Sequence, residues 1–159
     1  MFDNRILMPP RIVKEIIPTF PANIDHWRQL ADNDENMAAI LPGKPTTTGK
    51  PRLFTPLQVA LAAIMADFIN VDVKAPLAAR IARRVMDAHL AQPGVEQWSI
   101  VVTQNGNVAT LPYDQTELRT GFISGSRLAF ALCVDLRTYA DRVNSAVAEL
   151  PIVIGGDDE

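Results

Sequence analysis

The order of elements predicts a mixed α+β fold. A helix pair stands in the middle of the chain, followed by a β-hairpin, a third antiparallel strand and a closing helix, with an N-terminal extension ahead of them. Three observations carry this. Residues 54–90 (FTPLQVALAAIMADFINVDVKAPLAARIARRVMDAHL) hold two apolar stripes at helical spacing, Asn105-Gly106 sits between two β-branched runs, and residues 136–150 return to helical spacing after a bulky–small alternation.

In the helix pair, Thr55 is an N-cap whose hydroxyl can accept a bond from a first-turn amide, and Pro56 falls at the first helical position, where a missing N–H costs nothing. Leu57, Leu61, Ile64 and Phe68 form one stripe. Asn70 to Ala75 (NVDVKA) interrupts it, and Pro76 restarts a helix with the stripe Leu77, Ile81 and Val85. Arg80, Arg83, Arg84 and Asp87 occupy the opposite face, where positions three and four apart are neighbours. Pro93-Gly94 ends the helix. A helix-turn-helix pairing would leave the second helix free to enter a major groove, where the arginine fork can grip a phosphate or a guanine edge. At even weight, the same arginines simply solvate the outer face of a core-packed helix.

Ahead of the pair, Pro9-Pro10 and Pro18 bracket Ile12-Val13 and Ile16-Ile17, which reads as an edge strand or an extended arm. Asn23 can cap a helix over residues 24–30, Asp32-Asn33-Asp34 breaks it, and Met37, Ile40 and Leu41 suit one more turn. Residues 42–52 (PGKPTTTGKPR) form a Pro/Thr-rich linker. The expected division is therefore an extension and linker over 1–52, a winged-helix-like domain over 53–150 and an acidic tail over 151–159.

After the pair, residues 98–103 and 108–111 are strands joined at Asn105-Gly106 by a type I′ turn. Residues 112–125 read as irregular, with one helical turn at 113–117. Residues 127–134 (RLAFALCV) are a strand that extends the hairpin to three, with Cys133 read as a small buried residue. Asp135 caps the last helix, whose stripe Leu136, Tyr139 or Ala140, Val143, Val147 and Leu150 suits packing on the sheet or on a second copy.

Composition narrows the function. With 48% hydrophobic residues and no apolar run of membrane-spanning length, the 159-residue chain can bury a real core. The N-terminus lacks the apolar core of a signal peptide, so a cytoplasmic location is expected. One cysteine and two histidines exclude an internal disulfide and leave no multi-cysteine metal site. Gly49-Lys50 is followed by Pro51 and cannot be a phosphate loop, and the serine of residues 121–125 sits one place too late for a nucleophile elbow. No enzyme, cofactor or metal is expected. The net charge is −3, but residues 44–89 carry seven basic and three acidic side chains. A local positive patch is what phosphate binding needs.

Residues 54–150 resemble small bacterial or phage regulators with a MerR-like, winged helix-turn-helix. The likeness lies in FTPLQVALAAI, AARIARRV, the strand–Asn-Gly–strand unit and CVDLRTYADRV. One departure is the Arg-Tyr-Tyr segment expected early in that family, which this chain lacks. The resemblance implies a DNA-binding transcription regulator that forms a homodimer through its C-terminal helix. Double-stranded DNA would meet Arg80, Arg83 and Arg84, helped by Lys74, Lys50 and Arg52. The alternative is a protein-interaction or adaptor module of similar fold, favoured by the acidic C-terminal part and by a hairpin tip (Gln104 to Asn107) without a cation.

Overall fold

A computed structural model of the chain describes residues 1–17, 21–43, 50, 52–113, 121–123 and 125–149. Its helices are α1 (Pro10–Ile16), α2 (Pro21–Leu30), α3 (Glu35–Ile40), α4 (Pro56–Asn70), α5 (Ala75–Ala91) and α6 (Leu136–Ala148). Its strands are β1 (Gln97–Thr103), β2 (Val108–Pro112), β3 (Phe122–Ile123) and β4 (Ser126–Asp135). The α+β class and the order helix pair, hairpin, antiparallel strand, C-terminal helix are those the sequence predicts.

Helix α4 is the axis. The sequence shows one apolar stripe, but α4 is buried nearly all round from Pro56 to Ala66, with Asp67 the first exposed position. Ala60, Ala62, Ala63 and Ala66 make this possible, because small side chains let α1, α3, α5 and α6 approach from different sides. A buried helix end must satisfy its free amides. Thr55 Oγ1 accepts from Gln58 N at 3.3 Å, and Gln58 Oε1 accepts from Thr55 N at 3.0 Å. Asn4 Oδ1 accepts from Leu57 N at 3.3 Å, and Pro56 has no N–H to satisfy.

The far end of α4 closes in a Schellman motif. Val73 N–H donates to Phe68 O at 3.0 Å and Asp72 N–H to Ile69 O at 3.0 Å, with Asp72 in the left-handed region at φ 67°. Phe68 and Val73, both half-buried, supply the apolar contact that usually accompanies the motif. The connection to α5 is thus the four residues Val71 to Lys74, shorter than the six the sequence suggests.

The N-terminal segment departs most from expectation. Residues 10–16 form α1, not an edge strand or arm: Pro10 takes the first helical position, and Ile12, Val13 and Ile16 are buried at helical spacing. The strand-like piece is shorter and earlier, where Met8 and Phe54 exchange backbone hydrogen bonds of 2.8 and 2.9 Å. Helix α2 begins at Pro21, ahead of the Asn23 cap, and Asp34 caps α3 by accepting from Asn36 N and Met37 N. Met8, Trp27, Met37 and Ile40 lie in the same hydrophobic core as α4, so the residues read as an extension supply part of one core.

The sheet has the order β2-β1-β4-β3, all antiparallel, with Trp98, Ile100 and Val134 turned into the core. Three details correct the sequence reading. The hairpin loop is not type I′: Gly106 alone takes positive φ (76°), and Gly106 N–H donates to Thr103 O while Thr103 N–H donates to Asn107 O, which is a type I turn closed by a glycine bulge. A fourth strand, β3, pairs with β4 through a turn at Gly125 (φ 79°). Cys133 is exposed, because the face of β4 opposite Val134 does not meet the helices.

Helix α6 is capped by Asp135, which accepts from Arg137 N at 3.0 Å. Its stripe Leu136, Ala140 and Val143 is buried, and α6 packs on α4 and α1. Tyr139 Oη donates to Asp67 Oδ2 at 2.9 Å, and burial together with that carboxylate pushes the phenol well above its usual range. The stripe expected to make a homodimer is therefore engaged inside its own chain. The helical turn read at 113–117, most of the 42–52 linker and the acidic tail fall wholly or mostly outside the described residues.

Two stability predictions follow from these contacts. Asp72→Gly relieves a left-handed aspartate and raises the unfolding free energy measured in urea by up to about 1 kcal/mol, whereas Asp72→Val lowers it by about 1–2 kcal/mol. His89 is buried against Phe2 in an edge-to-face contact (centroids 5.7 Å apart), with Nδ1 unpartnered. Burial, and then the Met1 amino group, lower its pKa from the usual 6.5. The unfolded chain then binds the proton more tightly, so this contribution is intact above pH about 6.5 and declines as pH falls below it toward the folded value. A falling Tm across that interval, flattened in His89→Gln, is the expected result; an unchanged profile in the variant would assign the decline to other groups.

Candidate nucleic-acid interface

Helix α5 holds three of the six residues that the sequence selects, Arg80, Arg83 and Arg84, and a fourth, Lys74, is its N-cap. Its inner side, Ala78, Ala79, Ile81, Ala82, Val85 and His89, is buried, with α3, α4 and β2 packed around the helix. That seating fixes which side faces water. Arg80 and Arg84 are exposed one turn apart, and neither makes a hydrogen bond or ion pair among the described residues. Arg83 is half-buried, and its Nε donates to both oxygens of Asp87, at 3.0 and 3.2 Å. Asp87 thus neutralises part of the patch. Such partly exposed pairs contribute only about 0.3–0.5 kcal/mol, so Arg83 can be drawn away at small cost.

The start of α5 adds to the positive character. Lys74 stands exposed at the N-cap position, where it offers no acceptor, and the first turn has no acidic residue. Pro76 has no amide, so the amides of Ala75 and Leu77, which no side chain caps, and the positive end of the helix dipole stand beside an ammonium group. Helix N-termini of this kind bind phosphate.

The other two residues lie elsewhere in the chain order. Lys50 is exposed, and Arg52 is half-exposed just before Phe54. The Arg52 charge is felt by Arg28 of α2, whose pKa it helps to lower after burial. Arg28, which the sequence reading did not select, has its guanidinium 5.4 Å from the Phe54 ring centroid and bound to Asp25 at 3.1 Å. No local spacing signals this group, because Arg28 and Phe54 meet only through the tertiary fold.

Strand β2 packs against α5, which puts the hairpin beside the arginine-bearing helix. Its tip, Gln104 to Asn107, is exposed and carries no charge. Among the described residues, no three His, Cys, Asp or Glu side chains converge, and no helix is long and apolar enough to cross a membrane. No protein-family model matches the chain, and no curated protein matches it significantly in sequence.

Proposed function

We propose that the protein is a cytoplasmic DNA-binding transcription regulator of bacterial or phage type, with α5 as the helix that meets the duplex. One observation carries this reading: Arg80 and Arg84 stand exposed, and unpaired among the described residues, on a helix whose N-terminus is free of acids and flanked by Lys74. A cation without a counter-charge is available to a phosphate, and the arginine fork can also reach a base edge. The four-residue connection between α4 and α5 supports it, since helix-turn-helix pairs use three or four. Phosphate contacts position such a protein, and base contacts give it specificity. A homodimer belongs to this reading, but α6 offers it a polar outer side that includes Arg137, Asp141 and Arg142.

The second reading, an adaptor that binds protein and not DNA, is favoured by the uncharged hairpin tip and by the capture of Arg83 by Asp87. Salt separates the two. Binding through phosphates weakens steeply with salt as counterions are released, and an apolar protein interface lacks that dependence.

Fluorescence anisotropy with mixed duplex DNA at low and moderate salt tests the regulator. Wild type is expected to bind with a steep salt slope. Changing Arg80 and Arg84 together to Ala is expected to weaken binding at least tenfold and to reduce the slope by about 2, roughly one per phosphate contact. Asp87→Asn releases Arg83 and is expected to tighten binding several-fold. Absence of binding even at low salt rejects the reading and leaves the adaptor.

A further inference from the structure

We infer that the free edge of β4 pairs, antiparallel, with the same edge of a second copy of this chain. Strand β4 has β1 on one side. On the other side it has only the two-residue β3, which pairs with Ser126 and Arg127 and ends where Leu128 N–H donates to Gly121 O. The phase of the β1–β4 ladder fixes what the rest of that edge offers. Leu136 N–H donates to Glu96 O, and in an antiparallel register the residues that exchange bonds recur at every second place, here Val134, Leu132 and Phe130. Ala131 and Cys133, between them, turn their N–H and C=O groups away from β1. Neither has a hydrogen-bond partner on that side among the described residues.

Edges of this kind are normally blunted by lysine, proline or a charge. From Leu128 to Val134 (LAFALCV) β4 carries none of these, and Ala129, Phe130 and Cys133 are exposed. The bulge at Ala129 lies at the β3 end of the stretch and leaves Phe130 to Asp135 regular. A second copy suits this edge for two reasons. About a two-fold axis through Leu132, Ala131 of each strand lies opposite Cys133 of the other, so the outward donors and acceptors of one copy are met by the same groups of the next. On the helix side of the sheet, the exposed ring of Phe130 then gains Val134 of the other copy as a cross-strand neighbour. The charges favour the same direction. Strand β4 has Arg127 near its start and Asp135 at its end, so antiparallel order sets unlike ends together and parallel order sets like with like. The apolar stripe of α6 is already engaged with its own chain. The proposal rests on the homodimer of the regulator reading, gives it a surface other than α6, and is tested without DNA, so either can fail alone.

The test is the mass of the full chain in reducing buffer, by sedimentation equilibrium over a range of concentrations, for wild type, Ala131→Pro and Cys133→Lys. Wild type is expected at twice the 17.4 kDa chain mass. Ala131→Pro removes an N–H that points away from β1, so the ladder of its own sheet is kept, and Cys133→Lys puts a charge on the exposed edge. Each is expected to weaken association at least tenfold, with the circular dichroism spectrum of wild type retained. If Ala131→Pro does not fold, Cys133→Lys decides. A nitroxide on Cys133, the one cysteine of the chain, gives a second readout, since the paired edges bring two labels close enough for dipolar broadening. A dimer that survives both substitutions, or whose labels show no broadening, is held by another surface and overturns the proposal. A monomeric wild type also overturns it and leaves the edge to a strand from another protein.

Discussion

The burial of α4 on nearly every side from Pro56 to Ala66 is the constraint on which the rest depends. A helix with water on one side can leave its first-turn amides to solvent. Helix α4 cannot, and its N-terminus is closed by three side chains, Thr55, Gln58 and Asn4. Asn4 ties the first residues of the chain to the central helix. From there the chain pairs Met8 with Phe54 and enters α1, so one face of α4 is covered by sequence that precedes it by some 40 residues. The remaining faces are taken by α3, α5 and α6. Each of these keeps one polar side, and that asymmetry decides what the surface can do.

For α5 the result is a helix pressed inward by three neighbours and presenting arginine outward. Its alanines, Ala78, Ala79 and Ala82, bring it close to its neighbours and lock its rotation about its own axis. The exposure of Arg80 and Arg84 is thus set by packing. Arg83 lies at the edge of the buried side, which explains why it bonds to Asp87 while the other two stand free.

Much of this was legible in the sequence where the signal is local. Thr55-Pro56, Asp135 and the Asn105-Gly106 dipeptide marked element boundaries, because capping and turn chemistry act over three or four residues. The opposite face of α5 was legible for the same reason. What could not be read was non-local. Pro9-Pro10 is equally compatible with an extended arm and with the first turn of a helix, and only the core that receives Ile12, Val13 and Ile16 decides between them. The stripe of α6 was seen, but its partner was left open between the sheet and a second copy, because nothing in residues 136–150 says that α4 lies beneath it. The two-residue β3 is too short for periodicity, and the pairing of Arg28 with Phe54 has no sequence spacing to betray it.

A net charge of −3 argues against nucleic-acid binding only if the whole chain acts as one charge. At physiological ionic strength the Debye length is about 8 Å, so exposed charges more than one or two turns of helix away are largely screened from a bound phosphate. What a phosphate would meet at α5 under the proposed reading is Lys74, Arg80, Arg84, the first turn of the helix, and Arg83 with its carboxylate partner. The acidic excess of residues 90–159 lies in other elements and in the tail. It weakens long-range attraction and slows encounter at low salt, but it subtracts little from contacts already formed. If the proposed reading holds, the expected behaviour is a binder of modest affinity whose strength comes from a few local contacts, and for such a protein the placement of Asp87 beside Arg83 matters more than the composition of the chain.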